Sequence, residues 1–216
     1  MNTYAIGDIH GCYDGLRLLL ERIAGHAAGE PHRVVLLGDY VNIGPDTGKV
    51  LDLLIANLSI TVLRGDHEMM LLAAARGDAR SNWNFDYHGG GETLRSLGVT
   101  KASAIPERYT AFLRRNLVRY VEDDQRVFVH ASIDATIAEM ADQDDTTLLF
   151  ARTPLSPAPG LFFRYLVHGH FPQADGLPEI LSHRCNLDTA GCVTGVFTCG
   201  IFDDSQPDPI DIIQVR

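Results

Sequence analysis

The chain has 216 residues, 45% of them hydrophobic, which predicts one globular domain over residues 1–216. Its formal net charge of −10 and its lack of a basic tract argue against a long nucleic acid as partner, because backbone phosphates are bound by clustered Lys and Arg. It has no apolar run long enough for a membrane span and begins without a secretory signal, so we expect a cytoplasmic protein that binds no membrane.

Alternating strands and helices are predicted for the first third of the chain. The predicted strands are residues 4–6, 33–37 and 60–63, and the predicted helices are residues 13–28, 47–57 and 68–76. The strand segments are almost wholly apolar, as buried parallel strands are, and the helical segments repeat apolar residues at helical spacing. Right-handed crossovers would make the three strands parallel.

Each of these three strands is followed by Gly-Asp. The carboxylates are Asp8, Asp39 and Asp66, and His10 lies two residues after the first of them. Because ligands gather at the carboxyl ends of strands in α/β sheets, these side chains should meet at one edge. Carboxylate oxygen and imidazole nitrogen are ligands of divalent metals, so the pattern predicts a metal site.

The segment 77–91 is polar and glycine-rich and is predicted to be a loop. It contains the aromatic side chains Trp83, Phe85 and Tyr87, and then His88. These rings could cover a substrate, or they could only fix the loop to the protein. The sequence favours neither interpretation.

The rest of the chain predicts a helix and then mainly strands. The helix is residues 106–116, followed by a hairpin of residues 118–122 and 125–130, a helix or turn at 142–145 and a loop at 153–160. Further strands are predicted at residues 166–170, 180–182, 184–188, 194–202 and 210–215. A parallel α/β part followed by antiparallel strands suggests two sheets packed face to face, with helices outside.

Three histidines also end predicted strands: His130, His168 and His170. An isolated histidine in such a place is more often structural. Together with three strand-end aspartates, however, these histidines favour a metal centre. Clustered carboxylates without cations would repel one another, and two divalent ions would remove that repulsion.

The four cysteines are predicted to be reduced, because none forms a C-x-x-C pair and the protein is expected to be cytoplasmic. Cys12, next to the predicted metal site, is interpreted as a small packing residue, with an exposed thiol as the alternative.

An ordered set of motifs covers residues 3–203. It comprises GDIHG at 7–11, GDYVNIGP at 38–45, GDHE at 65–68, His130 and GH at 169–170, with further matches at 89–94, 149–152 and 186–191. In this order the motifs resemble the calcineurin-like metallophosphoesterases. The phosphoprotein phosphatase branch is the most similar, with its bacterial serine/threonine phosphatases and symmetrical diadenosine tetraphosphatases.

The resemblance implies a four-layer α/β/β/α sandwich of two mixed β-sheets with two divalent metals, typically manganese, iron or zinc. One ion would be bound by Asp8, His10 and Asp39. The other would be bound by Asp39, Asp66, His130 and His170, so that Asp39 bridges the two. His168 is an alternative extra ligand.

The same resemblance assigns catalytic roles. A metal-bound hydroxide would attack phosphorus, His67 would protonate the leaving group, and Arg64 and Arg152 would bind phosphate oxygens. Glu68 is expected to be structural. The implied function is hydrolysis of a phosphate ester, either phosphoserine or phosphothreonine in a protein or a small nucleotide substrate.

Three positions depart from the family pattern. Asn42 replaces an aspartate that favours the protonated form of the catalytic histidine, and Ile43 replaces a phosphate-binding arginine. Asp66 replaces an asparagine and adds negative charge beside the metals. The first change should leave His67 less protonated and a weaker general acid, and the second should remove a phosphate contact. The third should weaken attraction of a phosphate dianion. The alternative function is therefore a catalytically weakened, metal-binding homologue that binds a phosphorylated ligand or partner.

Overall fold

The structure is a computed structural model that describes residues 1–155 and 164–216. Its strands are β1 (Asn2–Ile6), β2 (His32–Leu36), β3 (Thr61–Val62), β4 (Val121–Glu122), β5 (Arg126–Phe128), β6 (Tyr165–His168), β7 (Glu179–Ile180), β8 (Arg184–Asn186), β9 (Phe197–Phe202) and β10 (Asp211–Val215). Its α-helices are α1 (Tyr13–Ala27), α2 (Thr47–Ala56), α3 (Asp66–Ala74), α4 (Ala79–Phe85), α5 (Gly91–Ser96), α6 (Glu107–Asn116), α7 (Asp145–Phe150) and α8 (Gly191–Thr194). None of the helices in the described part of the chain is both long and apolar enough to span a bilayer.

The first sheet has the strand order β10-β9-β1-β2-β3. β1 pairs with β2, and β2 with β3, in parallel, as the sequence predicts. Their carboxyl ends therefore share one edge, which places the segments that begin with Asp8, Asp39 and Asp66 side by side.

The second sheet has the order β4-β5-β6-β8-β7 and differs from the antiparallel sheet predicted from the sequence. Strands β5, β6 and β8 are parallel, and only the two edge strands, β4 and β7, run antiparallel. Parallel neighbours need long connections, and the segments between these strands are long enough to return the chain to the same end. In consequence His130, after β5, and His170, after β6, also share one edge.

The two sheets pack against each other, and helices cover their outer faces. Alternate side chains of β1 divide between two cores: Tyr4 and Ile6 face the helices, whereas Ala5 faces the second sheet. The core between the sheets joins Ala5 and Leu37 to Phe128 and Val167 of the second sheet. This arrangement confirms the predicted α/β/β/α sandwich of two mixed sheets.

Local predictions failed mainly in the middle of the chain. Segment 77–91, predicted as a loop, forms α4, a kinked turn at Asp86–Gly90 in which His88 and Gly89 leave the helical conformation, and the start of α5. Its polar sequence does not show the apolar period of a helix, because α4 contacts the core through one side chain, Phe85, which is 1% exposed. Residue 194, predicted in a strand, ends α8. The predicted loop at 153–160 lies partly outside the described residues.

The cysteine prediction was wrong for one pair. Cys12 and Cys192 form a disulfide with Cα atoms 6.4 Å apart, a separation that suits the bond. Cys185 and Cys199 are free and buried, as predicted for packing residues. The two bonded residues lie 180 positions apart, so only the folded chain brings them together.

We expect the unreduced protein in denaturant to contain two reactive thiols, and four after reduction. Replacing Cys12 and Cys192 with serine should lower the free energy of unfolding by about 2–4 kcal/mol, because the crosslink restricts the unfolded chain. Urea unfolding measures this loss. Dithiothreitol should destabilise the natural protein but not the double variant, and four thiols before reduction would contradict the disulfide.

Candidate active site

A cavity of about 400 Å³ opens where the carboxyl ends of the two sheets meet. Six of the predicted site residues line it: Asp8, His10, Asp39, Asp66, His67 and His170. They come from the loops after β1, β2 and β6 and from the first turn of α3. Residues far apart in the sequence thus converge because parallel strands end at one edge.

The first group of potential ligands comprises Asp39, Asp66, His130 and His170, whose donor atoms all lie within 4.8 Å of one another. Nε2 of His130 lies 3.2 Å from Asp66 Oδ1 and 3.5 Å from Asp39 Oδ1. Nδ1 of His170 lies 3.4 Å from Asp66 Oδ1. This group has the same members as the second predicted ligand set.

The second group comprises His10, Asp39 and His67. Asp39 Oδ2 lies 3.5 Å from His10 Nε2 and 3.9 Å from His67 Nε2. Asp8 lines the same cavity and accepts the backbone N–H of His170 at 3.1 Å. Asp39 belongs to both groups, so its carboxylate is placed where it could bridge two metal ions.

Three histidines are oriented by backbone carbonyls. Each donates one ring N–H to a backbone carbonyl oxygen. His10 donates to Val41 at 3.1 Å, His130 to Leu37 at 3.0 Å, and His170 to Ala151 at 3.1 Å. The other ring nitrogen is then unprotonated and faces the carboxylates. Metal-binding histidines are commonly fixed in this way.

The carboxylates repel one another strongly in the absence of cations. Burial, together with neighbouring carboxylates, raises the pKa of Asp8 and of Asp39 well above the usual value. Burial also raises the pKa of Asp66, but the interactions with His130 and His170 outweigh it and lower that pKa. Hard oxygen donors and oriented imidazoles around a shared carboxylate fit two divalent ions.

Glycines leave the space that these carboxylates occupy. A Cβ on Gly65 would lie 2.1 Å from Asp39 Oδ1, and one on Gly169 would lie 2.0 Å from Asp8 Oδ1. Both distances are far inside van der Waals contact. The Gly-Asp and Gly-His motifs therefore reflect close approach of the backbone to the site.

Glu68 holds the loop after β2 in place. Its fully buried carboxylate accepts the backbone N–H groups of Asp39, Tyr40, Val41 and Gly65 at 2.7–3.2 Å. Burial nevertheless raises the pKa of Glu68 to about 7. These contacts support the structural role predicted for Glu68.

The same loop is conformationally strained. Asp39, Asn42 and Ile43 have φ of 52°, 68° and 64°, in the left-handed region. Asparagine tolerates this conformation, but for β-branched Ile43 it is a genuine outlier. Strain of this kind collects at functional sites.

A buried chain of hydrogen bonds sets the tautomer of His67. Thr93 Oγ1 donates to Asn42 Oδ1 at 3.0 Å, so the Asn42 amide group must face His67 Nδ1, 3.0 Å away. That amide can only donate, and Nδ1 of neutral His67 therefore accepts. The proton of His67 then lies on Nε2, at the cavity, where it can be donated to a bound phosphate ester. A protonated Nε2 is not a metal ligand.

His67 is difficult to protonate in this environment. Burial, followed by the neighbouring His10, lowers the pKa of His67 to about 3. Asn42 provides no negative charge to offset either effect. Without further charges, His67 is neutral at pH 7.

The two predicted arginines lie outside the cavity lining as far as the structure describes it. Arg64 is held by Asp145, with Nη1 3.6 Å from Oδ2, and by the carbonyl oxygen of Leu117 at 3.4 Å. Arg152 is exposed. Phosphate binding by either side chain stays a prediction.

His168 points away from the ligand groups. Its Nδ1 lies 2.9 Å from its neighbour's carbonyl oxygen in Gly169, and its Nε2 accepts from Arg184 Nη1 at 3.2 Å. Both ring nitrogens are thus used within the protein. These contacts favour the structural interpretation of His168 over ligation.

Three further residues of the site were not predicted. Asp188 and His88 line the cavity, and Thr93 orients Asn42. Asp188 follows β8 as the other aspartates follow their strands, so the same strand-end pattern could have identified it. His88 lies in segment 77–91, whose rings could cover a substrate, and Thr93 lies in the motif match at 89–94, but neither residue had a predicted role.

Comparison with known proteins identifies relatives. The family model of the calcineurin-like phosphoesterases matches residues 1–184. The symmetrical bis(5′-nucleosyl)-tetraphosphatase of Dechloromonas aromatica is 42% identical over 99 residues, which cover 45% of this chain and 33% of that enzyme. The one of Nitrosomonas europaea is 35% identical over 134 residues, covering 62% and 45% respectively. These matches thus span less than half of those relatives.

Solved structures show the same fold. One provisionally described as a diadenosine tetraphosphatase has a TM-score of 0.69 at 20% identity, covering 99% of this chain and 92% of that one. The cold-active protein-tyrosine phosphatase of a Shewanella species has a TM-score of 0.62 at 17% identity, with 94% and 75% covered.

Proposed function

The chain belongs to the calcineurin-like phosphoesterase family, and we propose that it is a metal-dependent hydrolase of phosphate esters. The observation that carries the proposal is the placement of Asp39 in both groups of potential ligands at the cavity. Such sharing is needed to hold two ions a few ångströms apart. Dinucleoside polyphosphates are the proposed substrate class, because the relatives with curated names are symmetrical bis(5′-nucleosyl)-tetraphosphatases.

Asp39, Asp66, His130 and His170 would hold one ion, and Asp8, His10 and Asp39 the other, with manganese, iron or zinc as candidates. Two such ions would supply a nucleophile at neutral pH and would stabilise charge on the attacking and leaving oxygens. The protein itself fixes the donors: backbone carbonyls orient the histidines, and Glu68 holds the loop that bears Asp39.

His67 is proposed to contact the leaving oxygen of the ester. Its Nε2–H lies at the cavity, and the Asn42 amide keeps the proton there. A neutral imidazole is a weak proton donor, so its contribution is a hydrogen bond to an oxygen that gains charge. Good leaving groups, such as a nucleoside di- or triphosphate, depend least on full protonation.

The alternative is a catalytically weakened protein that binds a phosphorylated ligand. It is favoured by one specific observation: among the described residues that line the cavity there is no lysine or arginine. A phosphate would then depend on the metals alone for positive charge.

Hydrolysis of diadenosine tetraphosphate and of p-nitrophenyl phosphate, with added manganese, separates these functions. We expect turnover of the first substrate that falls about 10- to 100-fold in His67→Ala, the equivalent of losing one hydrogen bond to an oxygen that gains charge. His32→Ala, an exposed histidine at the start of β2, is the matched control and should keep full activity. Absence of turnover with manganese, iron or zinc, in protein that retains bound metal, would favour the binding function.

A further inference from the structure

Two exposed aromatic rings form a ledge beside the cavity. Trp83 of α4 and Tyr87 of the following turn stack with ring centroids 5.2 Å apart and an interplanar angle of 18°. They are 65% and 73% exposed, whereas Phe85 between them is buried. Phe85 is the one buried residue of α4, so core packing does not explain the exposed faces of the other two rings.

The ledge leads directly to His67. The Tyr87 ring centroid lies 5.0 Å from that of His88, and the His88 centroid lies 6.1 Å from that of His67. His88 lines the cavity, and its Nδ1 is fixed 2.8 Å from the carbonyl oxygen of Asn84. A molecule bound at the metal ligands can thus extend along His88 onto the ledge.

Apolar side chains continue this surface around the rim. Ile43, which replaces the arginine of the family pattern, is 43% exposed and packs against Gly89, where an added Cβ would lie 3.1 Å from Ile43 Cγ1. Val193, on the same cavity, is 86% exposed. The rim therefore offers apolar contacts close to position 43, where the family pattern has an arginine and this chain has Ile43.

Charge makes these contacts important for binding. Four carboxylates line the cavity, Asp8, Asp39, Asp66 and Asp188, with no lysine or arginine among its described lining residues. Phosphate groups alone would gain little binding affinity from a cavity lined by carboxylates. Stacking on an aromatic ring adds affinity without any charge, and every nucleobase has a face that can stack.

We propose that the Trp83–Tyr87 ledge binds the base of a nucleotide whose phosphates lie at the metal ligands. This inference rests on the proposed function and adds a specificity site to it. The occupant is a nucleobase, because it presents a planar ring at a distance from a phosphate, which a phosphoserine side chain does not.

Trp83 is the only tryptophan of the chain, so its fluorescence reports directly on the ledge. We would titrate manganese-loaded protein with α,β-methylene adenosine diphosphate, and with methylenediphosphonate as the same phosphonate without a nucleoside. The nucleotide should change the fluorescence saturably, and methylenediphosphonate should not. In Tyr87→Ala the nucleotide should bind about 5- to 100-fold more weakly, the equivalent of losing one stacking contact.

Leu58→Ala is the matched control, since Leu58 is 68% exposed but precedes β3, at the opposite end of the sheet. It should bind the nucleotide as the natural protein does. Calorimetry of Trp83→Ala, which lacks the reporter, should show the same loss as Tyr87→Ala. Base binding at the ledge would be contradicted if the natural and Tyr87→Ala proteins bound the nucleotide with equal affinity. Equal fluorescence responses to the nucleotide and to methylenediphosphonate would also contradict it. Turnover of diadenosine tetraphosphate would survive that result, so the ledge and the hydrolase can fail independently.

Discussion

Replacing Asp39 with asparagine should abolish metal-dependent activity and remove both ions, whereas the same change at Asp8 should weaken only one. Asp39 faces His130 on one side and His10 on the other, so its charge serves both ligand groups. We expect a loss of activity greater than the roughly 10- to 100-fold that outer partners of a metal site cost. Metal analysis of both variants after dialysis measures the number of ions retained.

Stability provides a second readout that needs no substrate. Without metal, the Asp39→Asn variant should be more stable than the natural protein, because burial and neighbouring carboxylates raise the pKa of Asp39 and oppose its charge. With metal at 100 times its Kd, the natural protein should gain about 2.7 kcal/mol for each ion that it binds, and Asp39→Asn should lose most of that gain.

The isosteric change retains an acceptor for the backbone N–H of His67, which Asp39 now accepts at 3.1 Å. Loss of fold is therefore not expected. Asp123→Asn, a change of the same kind in the β4–β5 turn outside the cavity, is the control. Two ions per chain in dialysed Asp39→Asn would contradict the bridging role.

Combining Asn42→Asp with Ile43→Arg should raise phosphomonoesterase activity by about 10²-fold or more. An aspartate at 42 would accept a hydrogen bond from Thr93 Oγ1–H. It would also accept one from the Nδ1–H of His67, where the Asn42 amide now donates to Nδ1. Its charge would raise the pKa of His67, which burial now lowers to about 3. General acid catalysis is worth roughly 10²–10⁴ in rate.

The sign of the pH effect follows from this change. A raised pKa keeps His67 protonated to higher pH, so the alkaline limb of kcat/KM should move upward in pH in Asn42→Asp. In the natural protein the neutral histidine predominates at pH 7. An unmoved alkaline limb would show that His67 is not the acid.

Arginine at 43 should add a charge-assisted contact to phosphate, worth about 1.5–3 kcal/mol. Ile43 lines the cavity and is 43% exposed, so the change buries no charge in the core. It also removes a β-branched side chain from a left-handed conformation with φ of 64°, which should relieve strain. Ile43→Gln is the matched neutral control and should not give this gain.

The gain should be larger for p-nitrophenyl phosphate than for a diester, because the monoester dianion carries more charge. A folded, metal-loaded double variant with the natural monoesterase rate would mean that neither position limits the chemistry. Asp66, whose carboxylate adds negative charge beside the ions, would then be the next residue to change.

Periodicity and strand-end motifs predicted the three parallel strands of the first sheet and most of the ligand-type residues, but not that β9 and β10 complete that sheet. Apolar runs before Asp8 and Asp39 identified the strands, and the right-handed crossover rule fixed their direction. The second sheet was harder, since its direction depends on long connections rather than on local pattern. For that reason the sequence placed His130 and His170 at strand ends without predicting that β5 and β6 are parallel.

Chemical identity and local period are properties that the sequence by itself determines. Here they predicted parallel strands that end in residues of metal-ligand type, and the resemblance to the family implied the sandwich and the two ligand sets. Contacts between distant segments were decided only by the tertiary structure. The disulfide from Cys12 to Cys192 and the bond from Thr93 to Asn42 are of this kind. Neither leaves a periodic signal, because each depends on how separate elements pack rather than on spacing along one element. The Trp83–Tyr87 stack belongs with them, since it depends on a polar segment that forms a helix with Phe85 buried between the two exposed rings.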